Sequence, residues 1–565
     1  MKPLDWWILV ASLVLVVVYG LWRSRGSDSV NKYLLAGKTM PWYAMALSIM
    51  ATQASAITFI STTGQSYVDG MRFVQFYFGL PLAMVILCAT VVPIFHRANV
   101  YTAYEYLERR FDAKTRALVS VIFLIQRGLA IGVALYAPAI VLTVILGWPD
   151  RLTTIVMGSL VVLYTTIGGI KAVTWTDVQQ MLVMMAGLVA ALLTAVCLLP
   201  RDVGYIDAER LAAPSGQDNP GVYDFDWNDR DNLWSGLLGG TFLALAYFGC
   251  DQSQVQRYLT GKSIAQSRLS LLFNAVAKVP MQFLILFIGA IVFVFYTFER
   301  PPLLFQHIEL ERLQASSAAY APLAARYDAA FERRKEAARG LIESRHNGGD
   351  SALAVQRYQS AQREFEAARQ EGMLLVRQER NQPGFNDTNY IFLGFVTRYM
   401  PAGLVGLVMA AIFAAAMSSI SAEINSLATV SVIDIYRRHF KRDATDRHYL
   451  RAARIATVFW GGYAIVTAEL GSSLGALIEA VNILGSYFYG GLLGVFVLAF
   501  YFKKVTGNGA FLGVLAGEAA IFAVSFLTNI SFLWYNVIGC LVVIAVAVAA
   551  SRLENALQSG VRMRT

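Results

Sequence analysis

Runs of about eighteen or more apolar residues recur along most of this chain, and each is long enough to cross a bilayer as a helix. A soluble chain of 565 residues would divide into several domains with polar surfaces. Here 56% of residues are hydrophobic and only 15% charged, and the mean hydropathy is +0.50. The sequence therefore reads as an all-α integral membrane protein whose partner is the lipid bilayer. The first run, Trp6 to Trp22, lacks a basic leader and a small-residue cleavage site, so it reads as a retained helix. Cys88, Cys197, Cys250 and Cys540 all fall in apolar runs, with no metal-ligand spacing and no evident disulfide pairing.

Hydropathy windows predict about thirteen transmembrane helices, near residues 5–22, 41–66, 73–95, 118–146, 152–169, 175–199, 234–256, 268–298, 403–434, 450–470, 473–502, 508–527 and 531–551. An odd number puts the termini on opposite sides. With the N-terminus outside and the C-terminus cytoplasmic, 25 Lys or Arg fall on the inner side, Lys171 and Arg257 among them. Only six fall in the outer connections when the long insert is left aside. That asymmetry is the positive-inside pattern of a plasma (bacterial inner) membrane protein. The net charge of +9 is thus topological, and no nucleic-acid partner is expected.

The insert, residues 299–388, carries thirteen basic and thirteen acidic residues and breaks at Asn347-Gly348-Gly349-Asp350. It reads as an extracellular hairpin of two helices, each about thirty residues long, joined by a turn. It is either a surface elaboration or a place where an unknown partner docks or gating is exerted.

Two predicted spans interrupt their own helical pattern. The second carries the polar, small-residue stretch Met50 to Thr58, and the seventh carries Phe248-Gly249-Cys250-Asp251-Gln252-Ser253-Gln254. Transport sites lie at such breaks, where freed carbonyls and helix ends ligate ions and substrate. The two breaks lie five spans apart, which suits two inverted five-helix repeats whose first helices are both broken. The division is then residues 1–40, an extra N-terminal helix and cytoplasmic loop; 41–199, the first repeat (spans 2–6); and 200–233, an extracellular loop. Residues 234–502 form the second repeat (spans 7–11), interrupted by the insert, and 503–565 hold two further spans and a cytoplasmic tail.

In the ninth span Ala415, Ser418, Ser419 and Ala422 share a helical face, with Ser421 and Asn425 alongside. Hydroxyls and the free carbonyls of an unwound neighbour make an uncharged oxygen cage suited to a monovalent hard cation; a divalent ion asks for more carboxylates. The alternative is that these serines hydrogen-bond their own helix.

Three motifs carry a resemblance: Gly168-Gly169-Ile170-Lys171-Ala172-Val173-Thr174-Trp175-Thr176-Asp177, Gln252-Ser253-Gln254-Val255-Gln256-Arg257-Tyr258, and Ala415 to Ser426. In this order they resemble the sodium/solute symporter family, with its leucine-transporter-like inverted-repeat fold, over residues 1–298 and 389–552. The resemblance implies Na+ as the coupling ion, held by carbonyls of Ala51, Ala54 and Ala415 and the hydroxyls of Ser418 and Ser419. A second sodium, where the family has one, would involve Asp177 and Ser421; its further hydroxyl position is Ala422 here. The midplane pocket would draw on Gln53, Thr58, Gln75, Asp251, Lys278 and Asn482, with Arg127 as a further candidate.

An ionisable group inside a membrane helix is costly enough to point to function. Arg127 lies about nine residues from the cytoplasmic end of its helix, so snorkelling to the interface is its alternative. Lys278 is expected to face the cavity, neutralised by Asp251. Leu135-Tyr136-Ala137-Pro138-Ala139 and the Gln252–Tyr258 run look most like the monocarboxylate, iodide and multivitamin branch. A small organic anion is the first expectation for the solute, and a sugar the second.

Other classes fit less well. A transporter-fold sensor would signal through a partner, and a proton-coupled carrier would use Asp251. An enzyme is not expected, because all five histidines (His96, His307, His346, His439, His448) lie at or outside membrane edges.

Overall fold

The computed structural model describes residues 1–23, 29–147, 149–201, 203, 211, 224–230, 232–346, 351–468 and 477–562. Most of the predicted loop 200–233 and the turn Asn347–Asp350 lie outside these residues. The described chain is helical, with one isolated bridge joining Met40 to Gly261.

Nine helical stretches, among the described residues, are long and apolar enough to cross a membrane, against about thirteen predicted spans. The difference has local causes. Ala56–Ala98 carries the second half of the second predicted span and all of the third. Arg151–Cys197 carries the fifth and sixth, joined through Gly169 at φ 60°, ψ −169° rather than by a loop. That left-handed backbone favours glycine, and Tyr33 packs directly against it. The seventh span is cut short at Gly249. The tenth, Asp446–Ala468, carries Arg447, Arg451 and Arg454 on its first turns. Helical structure nevertheless coincides with every predicted span.

Burial orders the bundle. Only 22% of the most apolar window in Pro3–Arg23 is buried, against 89% in Leu404–Phe440. The helix bearing Ala415, Ser418 and Ser419 is therefore the centre of the molecule. Outward faces present large apolar side chains such as Trp7, Val276 and Phe526, a surface that only lipid covers favourably. Asp5 ties the peripheral first helix to the central one by accepting hydrogen bonds from Gly403 N (2.6 Å) and Gly406 N (3.1 Å). A carboxylate at a helix N-terminus is favourably placed.

The insert contains the long helices Tyr320–His346 and Ser351–Arg380 and, ahead of them, a short helix His307–Ser316 that the two-helix reading does not include. They share a small core of their own, including Tyr327, Phe331, Phe365 and Val376. The hairpin is anchored through Asp387, which is fully buried. It accepts from Arg369 (2.6 Å) and from Phe305 N (2.7 Å). The Phe305 ring meets Tyr67, near the end of Ala56–Asp69, at 5.8 Å. Asp387→Ala is expected to destabilise the protein by about 3–5 kcal/mol, because it leaves the largely buried Arg369 without its ion-pair partner. Breaking the exposed Arg326–Glu371 pair is expected to cost about 0–1 kcal/mol. Thermal unfolding of the two variants compares the predictions directly.

Candidate ion and solute site

The first break falls where the sequence placed it. Helix Trp42–Gln53 stops, Ala54 (φ −86°, ψ 70°) and Ser55 (φ −75°, ψ 169°) leave helical geometry, and the helix resumes at Ala56. A helix end leaves its last carbonyls without intrahelical partners. One of them, Thr52 O, accepts a hydrogen bond from Ser419 Oγ at 3.0 Å. The second break separates Gly240–Gly249 from Gln252–Leu259. Asp251 caps the new helix, accepting from Ser253 N (2.9 Å) and Ser253 Oγ (2.7 Å).

Ala51, Ala54, Ala415, Ser418 and Ser419 are all buried where the first broken helix meets the central one. Ser418 and Ser419 diverge. Ser419 reaches the break, whereas Ser418 Oγ donates to Asp177 Oδ1 at 2.6 Å. Asp177 also accepts from Ser48 Oγ (2.5 Å) and lies 3.4 Å from Arg257 Nη2. Arg257 Nε in turn donates to Thr52 Oγ1 at 2.5 Å, beside the break. The residues expected for two separate sodium ions thus share Ser418 and belong to one polar cluster. Ser421, expected beside Asp177, instead donates to Ser418 O at 3.0 Å.

The sequence places Arg257 in a cytoplasmic connection, but it is 1% exposed, so one positive charge of the inner side lies inside the bundle. Helix Gln252–Leu259 carries it through the interior before the chain leaves the bundle.

A cavity of about 110 Å³ lies beside the first break, and Gln53, Thr58, Arg127 and Asn482 are among the residues that line it. Arg127 does not snorkel. It is 4% exposed and bound on three sides: Nε to Asp251 Oδ2 (2.6 Å), Nη1 to Glu423 Oε1 (3.0 Å) and Nη2 to Tyr489 OH (2.7 Å). The Tyr247 ring covers it at 5.1 Å. Asp251 therefore pairs with Arg127 and not with Lys278, a second correction. Lys278 is fully buried, and its Nζ has no hydrogen-bond partner among the described residues. It lies 5.8 Å from the ring of Tyr77, which itself lines the cavity. Gln75 is buried but does not line the cavity either.

Glu423 was not among the predicted site residues. It lies one helical turn beyond Ser419, and both line the cavity. Its Oε2 is buried without a hydrogen-bond partner among the described residues. Arg127 thus faces two carboxylates, and the cluster Arg127, Asp251 and Glu423 carries one formal negative charge in excess. No group of three or more His, Cys, Asp or Glu suited to a metal ion occurs among the described residues.

The family model described as "Sodium:solute symporter family" matches residues 33–326 and 380–517. The chain belongs to the sodium:solute symporter family. The unmatched stretch between the two segments falls inside the helical hairpin. The sodium/sialic acid symporter NanT of Aliivibrio fischeri is 28% identical over 562 residues, covering 98% of this chain and 94% of that protein. The human sodium-coupled monocarboxylate transporter 1 is 27% identical, covering 91% of this chain and 72% of its own. A rabbit (Oryctolagus cuniculus) sodium-dependent multivitamin transporter is also 27% identical, with 90% and 68% covered. In fold, the symporter superposes on a Na+-coupled sialic acid symporter in its substrate-bound outward-open state, with TM-score 0.75, 23% identity and 98% of both chains covered. It is a multi-pass integral membrane protein and a sodium-coupled symporter of a small solute, not an enzyme.

Proposed function

We propose that the symporter imports a small organic solute with sodium by alternating access, its N-terminus outside and its C-terminus cytoplasmic. The observation that carries this reading is the Ser419–Thr52 O contact across the first helix break, at the wall of the cavity. Sodium is held by the carbonyls of Ala51, Ala54 and Ala415 and the hydroxyls of Ser418 and Ser419. It bridges the broken helix to the central one and orders Gln53 and Thr58, the first residues of the solute pocket. Differential binding to the outward and inward states drives the cycle. Solute and sodium accordingly raise each other's affinity by the same factor. Asp177 sits against Ser418 and is placed to sense occupancy of the cage.

The solute is a neutral, hydroxyl-bearing molecule of the sugar class, bound by Gln53, Thr58, Glu423 and Asn482. Arg127 is already held by Asp251, Glu423 and Tyr489, so a solute carboxylate competes there with two resident carboxylates. An anion is the second reading, favoured by Lys278 beside Tyr77, whose Nζ has no hydrogen-bond partner among the described residues, and by relatives named for sialic acid and monocarboxylates. Vesicles loaded under an inward sodium gradient and challenged with monosaccharides, monocarboxylates and water-soluble vitamins separate the two. Sodium-driven uptake of a monosaccharide is expected; sodium-driven uptake confined to carboxylates overturns the neutral-solute reading.

A further inference from the structure

A second concavity lies away from the transport site, between the π-helix Ser431–Phe440 and the helix Asp446–Ala468. It encloses about 610 Å³. Its walls sort by chemistry along one direction. Ile455, Phe459, Trp460 and Val432 form the apolar part, while Tyr436, His448 and Arg451 stand at one end. Ile455 and Phe459 are 70% and 62% exposed, so this apolar surface is open to the surroundings.

The order follows from helical spacing. Arg447, Arg451, Ile455 and Phe459 recur every four residues and lie on one face. Arg451 and Phe459 are about 12 Å apart along the axis, most of the roughly 15 Å hydrocarbon depth of one leaflet. The cationic end is rigid. Tyr436 OH and His448 Nε2 are hydrogen-bonded at 2.9 Å and their rings stack at 5.8 Å. Trp460 Nε1 donates to Ser431 Oγ at 2.9 Å, which fixes the indole at the apolar end. Arg438 nearby is neutralised by Glu108, but Arg447 and Arg451 make no ion pair among the described residues.

We propose that this groove is a binding site for an anionic phospholipid of the surrounding bilayer. The phosphate headgroup lies between Arg447, Arg451 and His448, and an acyl chain lies along Ile455 and Phe459 against Trp460. Guanidinium groups recognise phosphate by paired hydrogen bonds, and a membrane supplies this ligand at high local concentration. The groove begins where the central helix ends, at Val430 and Ser431. A bound lipid therefore braces the end of the helix that carries Ser418 and Ser419.

The test uses the full chain in nanodiscs of phosphatidylcholine containing about one-tenth of a brominated-tail lipid. Bromine quenches nearby tryptophan, and the difference between the wild type and Trp460→Phe isolates the Trp460 signal. Brominated phosphatidylglycerol is expected to quench that signal severalfold more effectively than brominated phosphatidylcholine. Arg447→Gln with Arg451→Gln is expected to abolish the preference, each arginine being worth about fivefold, or about 1 kcal/mol. Equal quenching by the two lipids, or a preference that survives the double substitution, overturns the proposal. So does protection from both lipids, which would mean that protein, such as a second copy, covers the groove. If Trp460→Phe fails to fold, Ile455→Trp introduces a reporter at an exposed position and is expected to show the same lipid preference.

Discussion

Arg127→Ala is expected to destabilise the symporter by about 3–5 kcal/mol, the cost of leaving buried charges without their partner. Arg127 joins four helices: its own, Asp251 at the second break, Glu423 on the central helix and Tyr489 on Leu477–Tyr501. Removing it strands two buried carboxylates, Asp251 and Glu423, without their counter-charge. Combining Arg127→Met with Asp251→Asn and Glu423→Gln should recover most of the stability without restoring transport. Thermal unfolding of the purified protein reads both effects. An Arg127→Ala variant as stable as the wild type would show that this cluster does not hold the second broken helix in place.

Ser418→Ala combined with Ser419→Ala should eliminate the response to sodium. Each hydroxyl makes one hydrogen bond in the structure, to Asp177 and to Thr52 O. Losing both should lower stability in potassium buffer by about 1–3 kcal/mol. The sodium effect is distinct. A ligand that binds only the folded state raises stability by about 2.7 kcal/mol at a hundredfold excess over Kd. That increment is expected in the wild type and should vanish in the double variant. A variant that still melts higher in sodium than in potassium would refute the five-residue cage.

Much of this arrangement is legible in the sequence because it depends on local pattern. The interruptions at Ala54-Ser55 and Cys250-Asp251 appear as polar, small residues within apolar runs, and the chain breaks at both. The serine face of the central helix follows from periodicity alone. Partnerships are different. Arg127 and Asp251 are separated by 124 positions, and Arg127 and Glu423 by 296; nothing local distinguishes these pairs from a pairing of Asp251 with Lys278. Glu423 stands within the ninth-span motif, and its place one turn beyond Ser419 was the available signal. Arg257 was misplaced because the second break shifts where the seventh span leaves the bundle. Hydropathy windows carry no information about such a shift.

The central claim is that a sodium gradient drives solute across the membrane through the cage at the first helix break. Its most direct test is solute accumulation in proteoliposomes under three conditions: an inward sodium gradient, equal sodium on both sides, and an inward proton gradient without sodium. Accumulation above the external concentration is expected only with the sodium gradient, and none with Ser418→Ala/Ser419→Ala under any condition. Accumulation that follows the proton gradient and ignores sodium would contradict it.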